Sequence, residues 1–116
     1  MRDWDVKFTD EGLADVRKLP KGVKNALRKS ILATIARDPY GCSRELEEPL
    51  RGWRSFHWRK YRVVFRIYDE RKIVAIGGIG ERLPQSHSDV YRRLEVLAAE
   101  GRLAEKVLLT LRRFSQ

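Results

Sequence analysis

The stretch Trp53-Arg-Ser-Phe-His-Trp-Arg-Lys-Tyr-Arg-Val-Val-Phe-Arg-Ile-Tyr-Asp69 alternates apolar and aromatic side chains with Arg54, His57, Arg59, Lys60, Arg62 and Arg66. Alternation is the period of a β-strand, so the segment reads as a strand pair with one apolar face and one cationic face. From Arg51 to Arg66 there is no Asp or Glu. Nothing in the run therefore neutralises the positive face or offers carboxylates to a metal. Such a surface suits a polyanion, whose phosphates shed counterions when Lys and Arg replace them. His57 is the single group in the run that exchanges a proton near neutral pH.

Working outward, strands at roughly 53–59 and 61–69 are followed by a third at 72–80, with Asp69-Glu-Arg-Lys72 as the turn, which makes an antiparallel meander. Upstream, Trp4, Val6 and Phe8 alternate with Asp5, Lys7 and Thr9, a short half-buried strand, and Thr9 or Asp10 caps a helix to about Leu19. Pro20 suits the first turn of a second helix, on which Val23, Leu27, Ile31 and Ile35 recur every fourth residue until Asp38-Pro39-Tyr40-Gly41 ends it. Residues 10–37 are thus predicted to form a helical hairpin covering the sheet. Residues 41–52, with Gly41, Pro49, Gly52 and the acidic Glu45, Glu47 and Glu48, read as a loop with little regular structure. After Pro84, Ser86 or Ser88 is the expected cap of a helix carrying Val90, Leu94 and Leu97; Gly101 then precedes a segment with Leu103, Val107, Leu108 and Leu111. Gly77-Gly78-Ile79-Gly80 lacks the spacing of a phosphate loop and reads as a strand that bulges or meets another backbone closely.

The 116 residues are expected to form one α+β domain, with 98–116 as a C-terminal helical extension. A hydrophobic fraction of 42% is enough for a folded core despite 35% charged residues. The net charge of +9 sets the sign of the partner: nucleic acid, an anionic membrane surface or an acidic protein. One cysteine, Cys42, excludes an internal disulfide and any Cys-based zinc cluster, and no metal or other cofactor is called for. With no apolar run near the ~20 residues of a membrane span and no signal-like apolar core after Met1-Arg-Asp-Trp-Asp, the expected location is the cytoplasm, away from membranes.

The order of elements, together with Glu45-Leu-Glu-Glu-Pro-Leu-Arg-Gly-Trp53, Tyr61-Arg62-Val-Val-Phe65, and Ile79-Gly80-Glu-Arg82 followed by Val90-Tyr91, resembles the RelE/ParE superfamily of toxins from type II toxin–antitoxin pairs. The resemblance spans about residues 1–97. It implies a strand, a helical hairpin, a three-stranded antiparallel meander completing a small twisted sheet, and C-terminal helices. It further implies a toxin that enters the ribosome and cuts messenger RNA without a metal, using the ribose 2′-hydroxyl as nucleophile, and that a cognate antitoxin neutralises. Carried over residue by residue, Arg62 lies beside the phosphate, Arg82 closes the last strand and Tyr91 begins the following helix near the base or nucleophile. Where RelE-like members carry lysines before the Tyr-Arg pair, this chain has Ser55, His57 and Arg59.

Transesterification of RNA needs a base for the 2′-hydroxyl, cationic donors for charge on phosphorus, and an acid for the 5′ oxygen. His57 is cast as the general base. Arg62 and Arg82 form the phosphate clamp, Tyr91 stacks on or orients a base, and Arg54, Arg59 and Lys60 bind the RNA backbone. Against these stand plainer readings: a solvated His57, surface or ion-paired arginines, a packing Tyr91, and Trp53, Phe56 and Trp58 as core. His87 is a loop residue or a second proton carrier. Two other functions compete, a ParE-like gyrase poison without nuclease activity and a degenerate member that only binds its antitoxin.

Overall fold

The computed structural model describes residues 3–84 and 86–103. In chain order it has β1 (Asp5–Phe8), α1 (Asp10–Arg17), α2 (Lys21–Ala33), β2 (Arg44–Glu45), β3 (Arg54–Trp58), β4 (Tyr61–Tyr68), β5 (Ile73–Glu81) and α3 (Val90–Ala99). The five strands form one sheet in the order β1-β5-β4-β3-β2. The meander β3-β4-β5 is antiparallel, β2 adds antiparallel to β3, and β1 lies parallel to β5. The predicted α+β order holds, with one addition. The segment 41–52 is not wholly irregular, because Arg44 and Glu45 pair with Ser55 and Arg54 as a short edge strand. Two residues are too few to leave a periodic signal in the sequence.

Thr9 caps α1, its side-chain oxygen accepting from the Gly12 amide, while Pro20 begins α2. α2 ends at Ala33, earlier than the Asp38-Pro39 signal suggests, and a turn carries Ile35 and Ala36 on into the core. α1 and α2 cover one face of the sheet, where Leu27, Ile31 and Ile35 meet Val63, Phe65, Val74, Ile76 and Ile79. α3 covers part of the other face, where Val90, Tyr91 and Leu94 join Leu46, Leu50, Trp53, Val64 and Leu103. The cap of α3 is Asp89, not Ser86 or Ser88: its buried carboxylate accepts from the Arg92 amide. A carboxylate at a helix N-terminus also gains from the helix dipole.

Gly77 sets the relation between the two faces. Val64 pairs with Gly78 but Phe65 with Ile76, so Gly77 is left over as a bulge. The extra residue resets the parity of β5, so that Ile76 and Ile79 both pack in the cluster under α2. A Cβ on Gly77 would lie 2.7 Å from the Trp53 ring, so no larger side chain fits beneath that indole. Gly78 and Gly80 make room for α3 in the same way, their added Cβ atoms falling 3.2 Å from Leu94 and from Val90. β1 stops opposite Ile76, and past that point the Ile79 amide donates instead to the buried Asp15 carboxylate at 2.8 Å. Asp15 also holds Arg93 at 2.9 Å, tying α1 to α3.

Among the described residues no helix is long and apolar enough to cross a membrane. Val107, Leu108 and Leu111 lie outside the described residues.

Candidate functional site

The face shared with α3 gathers most of the candidate residues. In the β3–β4 hairpin His57 sits directly opposite Arg62 and Ser55 opposite Val64, while Arg44 of β2 sits opposite Ser55. Residues paired across strands project to the same side, so Arg44, Ser55, His57 and Arg62 share one face. They line a groove of about 400 Å³, with the loop Gly41–Ser43 as its wall. His57 is exposed and Arg62 half-buried. Arg62 donates from Nη1 to the Tyr61 carbonyl at 3.3 Å.

His57 Nε2 lies 2.7 Å from the Arg59 carbonyl oxygen. A carbonyl only accepts, so Nε2 carries the hydrogen, and in the neutral ring Nδ1 is left as the basic nitrogen. The tight turn that brings this carbonyl back has Arg59 in the left-handed region, φ 54°, with its guanidinium 4.3 Å from the centre of the Trp58 ring.

Arg82 and Tyr91 occupy an adjoining groove of about 350 Å³, whose walls include Glu45, Glu47, Glu48 and Glu95. Tyr91 is buried, and its hydroxyl is 2.6 Å from that of Ser55, so the two grooves meet at this hydrogen bond. Arg82 lies over the Tyr91 ring, 4.7 Å from its centre, and pairs through Nη1 with buried Asp89, which also accepts from the Leu83 amide. The Arg82 side chain remains 39% exposed. Arg44 lines both grooves.

The sequence-derived set is therefore divided. His57 and Arg62 come together, Arg82 and Tyr91 come together, and the Ser55–Tyr91 contact joins the pairs. Tyr91 already carries a guanidinium against its ring, where a stacked base was expected. Arg54 projects to the opposite face: it pairs with Phe65, donates to Ser43 Oγ at 2.8 Å and to the Ser43 carbonyl at 3.0 Å, and lies over Tyr40. Arg59 and Lys60 sit at the hairpin tip, Lys60 in an exposed pair with Glu81 at 2.9 Å that holds its ammonium above the usual lysine range. His87 lines a separate cavity of about 320 Å³ with Asp15 and Arg93. Trp53 is buried, while Phe56 and Trp58 pack at the margin of the α2 core. Cys42 is half-buried in the groove wall, and burial pushes its thiol up from the ordinary value. Sequence reasoning passed over Arg44 and Asp89, the first hidden among loop signals and glutamates, the second beside two serines that are themselves good caps.

A five-stranded sheet with a helical hairpin on one face and a cationic groove beside a capping helix on the other is the architecture of the small α+β toxins of toxin–antitoxin pairs. The family model for the ParE toxin of the type II toxin–antitoxin system parDE matches residues 6–83. This chain belongs to the RelE/ParE superfamily of type II toxins. Toxin RelG of Mycobacterium tuberculosis (strain ATCC 25618 / H37Rv) is 30% identical over 90 residues, covering 78% of this chain and 98% of the relative. The solved toxin–antitoxin complex RelBE2 of the same species matches with a TM-score of 0.66 at 29% identity, over 69% of this chain and 99% of that one. A free E. coli toxin RelE bearing two Arg-to-Ala substitutions matches in fold with a TM-score of 0.59 at 21% identity, over 81% of this chain and 99% of that one.

Proposed function

We propose that this chain is a single-domain cytoplasmic toxin that cleaves messenger RNA on the ribosome without a metal and is neutralised by a cognate antitoxin. The observation that carries this reading is the cross-strand pair His57–Arg62, an imidazole and a guanidinium facing one groove. In the reaction, neutral His57 takes the proton of a ribose 2′-hydroxyl at Nδ1. The 2′ oxygen bonds to phosphorus, and the bond from phosphorus to the 5′ oxygen breaks. A 2′,3′-cyclic phosphate and a 5′-hydroxyl result, the latter taking its proton from water. Arg62 offers a planar fork to the phosphate oxygens as charge builds, a kind of contact worth ~10² or more in rate. Arg82, tied to Asp89, fixes Tyr91 and presents its exposed edge to the RNA. The antitoxin is supported by the RelBE2 relative, which was solved as a toxin–antitoxin complex.

One set of observations favours a second reading, a gyrase poison: the match to the ParE model and the ion pair that already engages Arg82. Primer extension on messenger RNA from induced cells separates the two. Stops inside translated codons that disappear in Arg62→Ala and His57→Ala support the nuclease. Unchanged growth arrest in both variants, with DNA-damage signalling and continued protein synthesis, removes it in favour of the gyrase reading.

A further inference from the structure

We infer that Arg44 is an RNA-contacting residue, holding a phosphate next to the one gripped by Arg62, at the junction of the two grooves. The inference rests on the proposed RNA substrate. Four observations carry it. Arg44 is opposite Ser55 in register, so it projects to the face that bears His57 and Arg62. It lines both the His57–Arg62 groove and the Arg82–Tyr91 groove. It is exposed, and no hydrogen bond or ion pair joins its side chain to a described residue. Four other cations of the region are engaged: Arg54 by Ser43, Arg82 by Asp89, Lys60 by Glu81, and Arg59 against Trp58.

The mounting is firm as well as open. β2 is held by its ladder to β3, the Leu46 amide donates to the Trp53 carbonyl at 2.9 Å, and Leu46 and Leu50 are buried against Trp53. An arginine on such an element loses less freedom on binding than one on an unanchored loop. Arg44 and Arg62 stand two strands apart and two residues out of line, roughly 12 Å at the backbone by the usual strand spacing and rise. Their guanidinium groups therefore meet neighbouring phosphates of one strand rather than a single oxygen pair. Beyond Arg44 the wall turns acidic with Glu47, Glu48 and Glu95, and like charge there repels a phosphate. Arg44 thus marks where the RNA backbone leaves the cationic groove.

The test uses the full chain and a fluorescein-labelled single-stranded 2′-O-methyl oligoribonucleotide, which binds without being cut. Anisotropy is read over a salt series for wild type, Arg44→Ala, Arg44→Lys, Arg62→Ala and Arg28→Ala, the last on exposed α2 at the other face. One phosphate contact fewer lowers the slope of log K against log salt by about 0.7 for a single strand. Arg44→Ala is expected to show that loss with affinity reduced about tenfold, Arg44→Lys to keep the slope, and Arg28→Ala to match wild type. A role only in folding would shift the urea midpoint and leave the salt slope unchanged. If Arg44→Ala binds with wild-type affinity and slope while Arg62→Ala is weakened, Arg44 is not a contact and the RNA reading stands. If wild type shows no salt-dependent binding to the oligonucleotide, both fall.

Discussion

Replacing Asp89 with alanine removes a buried carboxylate that joins three groups: the Arg92 amide of α3 at 3.2 Å, the Leu83 amide, and Arg82 Nη1. Loss of an N-cap costs about 1 kcal/mol. The Leu83 amide, left partly covered, adds about 1 kcal/mol. The ion pair contributes under about 1 kcal/mol, because Arg82 is 39% exposed and solvent screens it. Asp89→Ala should therefore lose about 2–3 kcal/mol, roughly 10–20 °C in Tm for a chain of this size. Asp89→Asn keeps one capping oxygen but turns the other into a donor facing either the Leu83 amide or Arg82 and the Arg92 amide, so it should cost about 1–2 kcal/mol. Urea unfolding followed by tryptophan fluorescence suits the measurement, since Trp53 packs in the same cluster as Val90 and Leu94. The midpoint should fall with the slope m unchanged. Asp89→Ala within about 0.5 kcal/mol of wild type, a margin typical of surface changes, would refute the assignment of Asp89 as the fastener of α3. Arg82→Ala made in the Asp89→Ala background should add little, since both act through one contact.

Two further outcomes follow from the hydrogen-bond and titration pattern. Tyr91→Phe and Ser55→Ala each leave a buried hydroxyl without its partner and should cost about 1–2 kcal/mol, while the double variant costs less than the two together; simple additivity in a double-mutant cycle would mean that the contact contributes nothing. Tyr68 is held above its ordinary value of 10.0 by burial and Tyr40 by its hydrogen bond to Asp69, as Cys42 is held above 9.0 by burial. Each binds its proton more tightly when folded, so its contribution is complete below the unfolded value and is lost as pH climbs through the folded one. The urea midpoint should hold to about pH 9 and decline above about 10, and a midpoint that climbs across that interval would contradict these environments.

Much of the fold is legible in the chain because its causes are local. The period-two pattern of Trp53–Tyr68 and the fourfold recurrence of Leu27, Ile31 and Ile35 fix strand and helix identity. Thr9 and Pro20 mark helix starts through the backbone groups they satisfy or lack. The capping choice at Asp89 is less legible, because Ser86, Ser88 and Asp89 all cap well and only the positions of Leu83 and Arg82 decide among them. β2 is illegible for the opposite reason: two residues have no period, and they become a strand through the edge that β3 offers.

The site divides along the same line. Residue types and alternation alone place His57 and Arg62 in one cationic strand pair, while the two-residue turn at Arg59 and Lys60, which the structure reveals, sets them opposite each other. Which cations remain open to a ligand is a matter of tertiary contact. Arg54, Arg82 and Arg44 are the same residue type in the same charge-rich region. One is bonded to Ser43 in the loop beside the groove, one to a buried carboxylate, and the side chain of the third stands free of described partners above the groove. Sequence sets the charge and the period, whereas long-range pairing of β2, β5 and α3 determines which charges are already neutralised, because an ion pair depends on distance in space and not on separation along the chain.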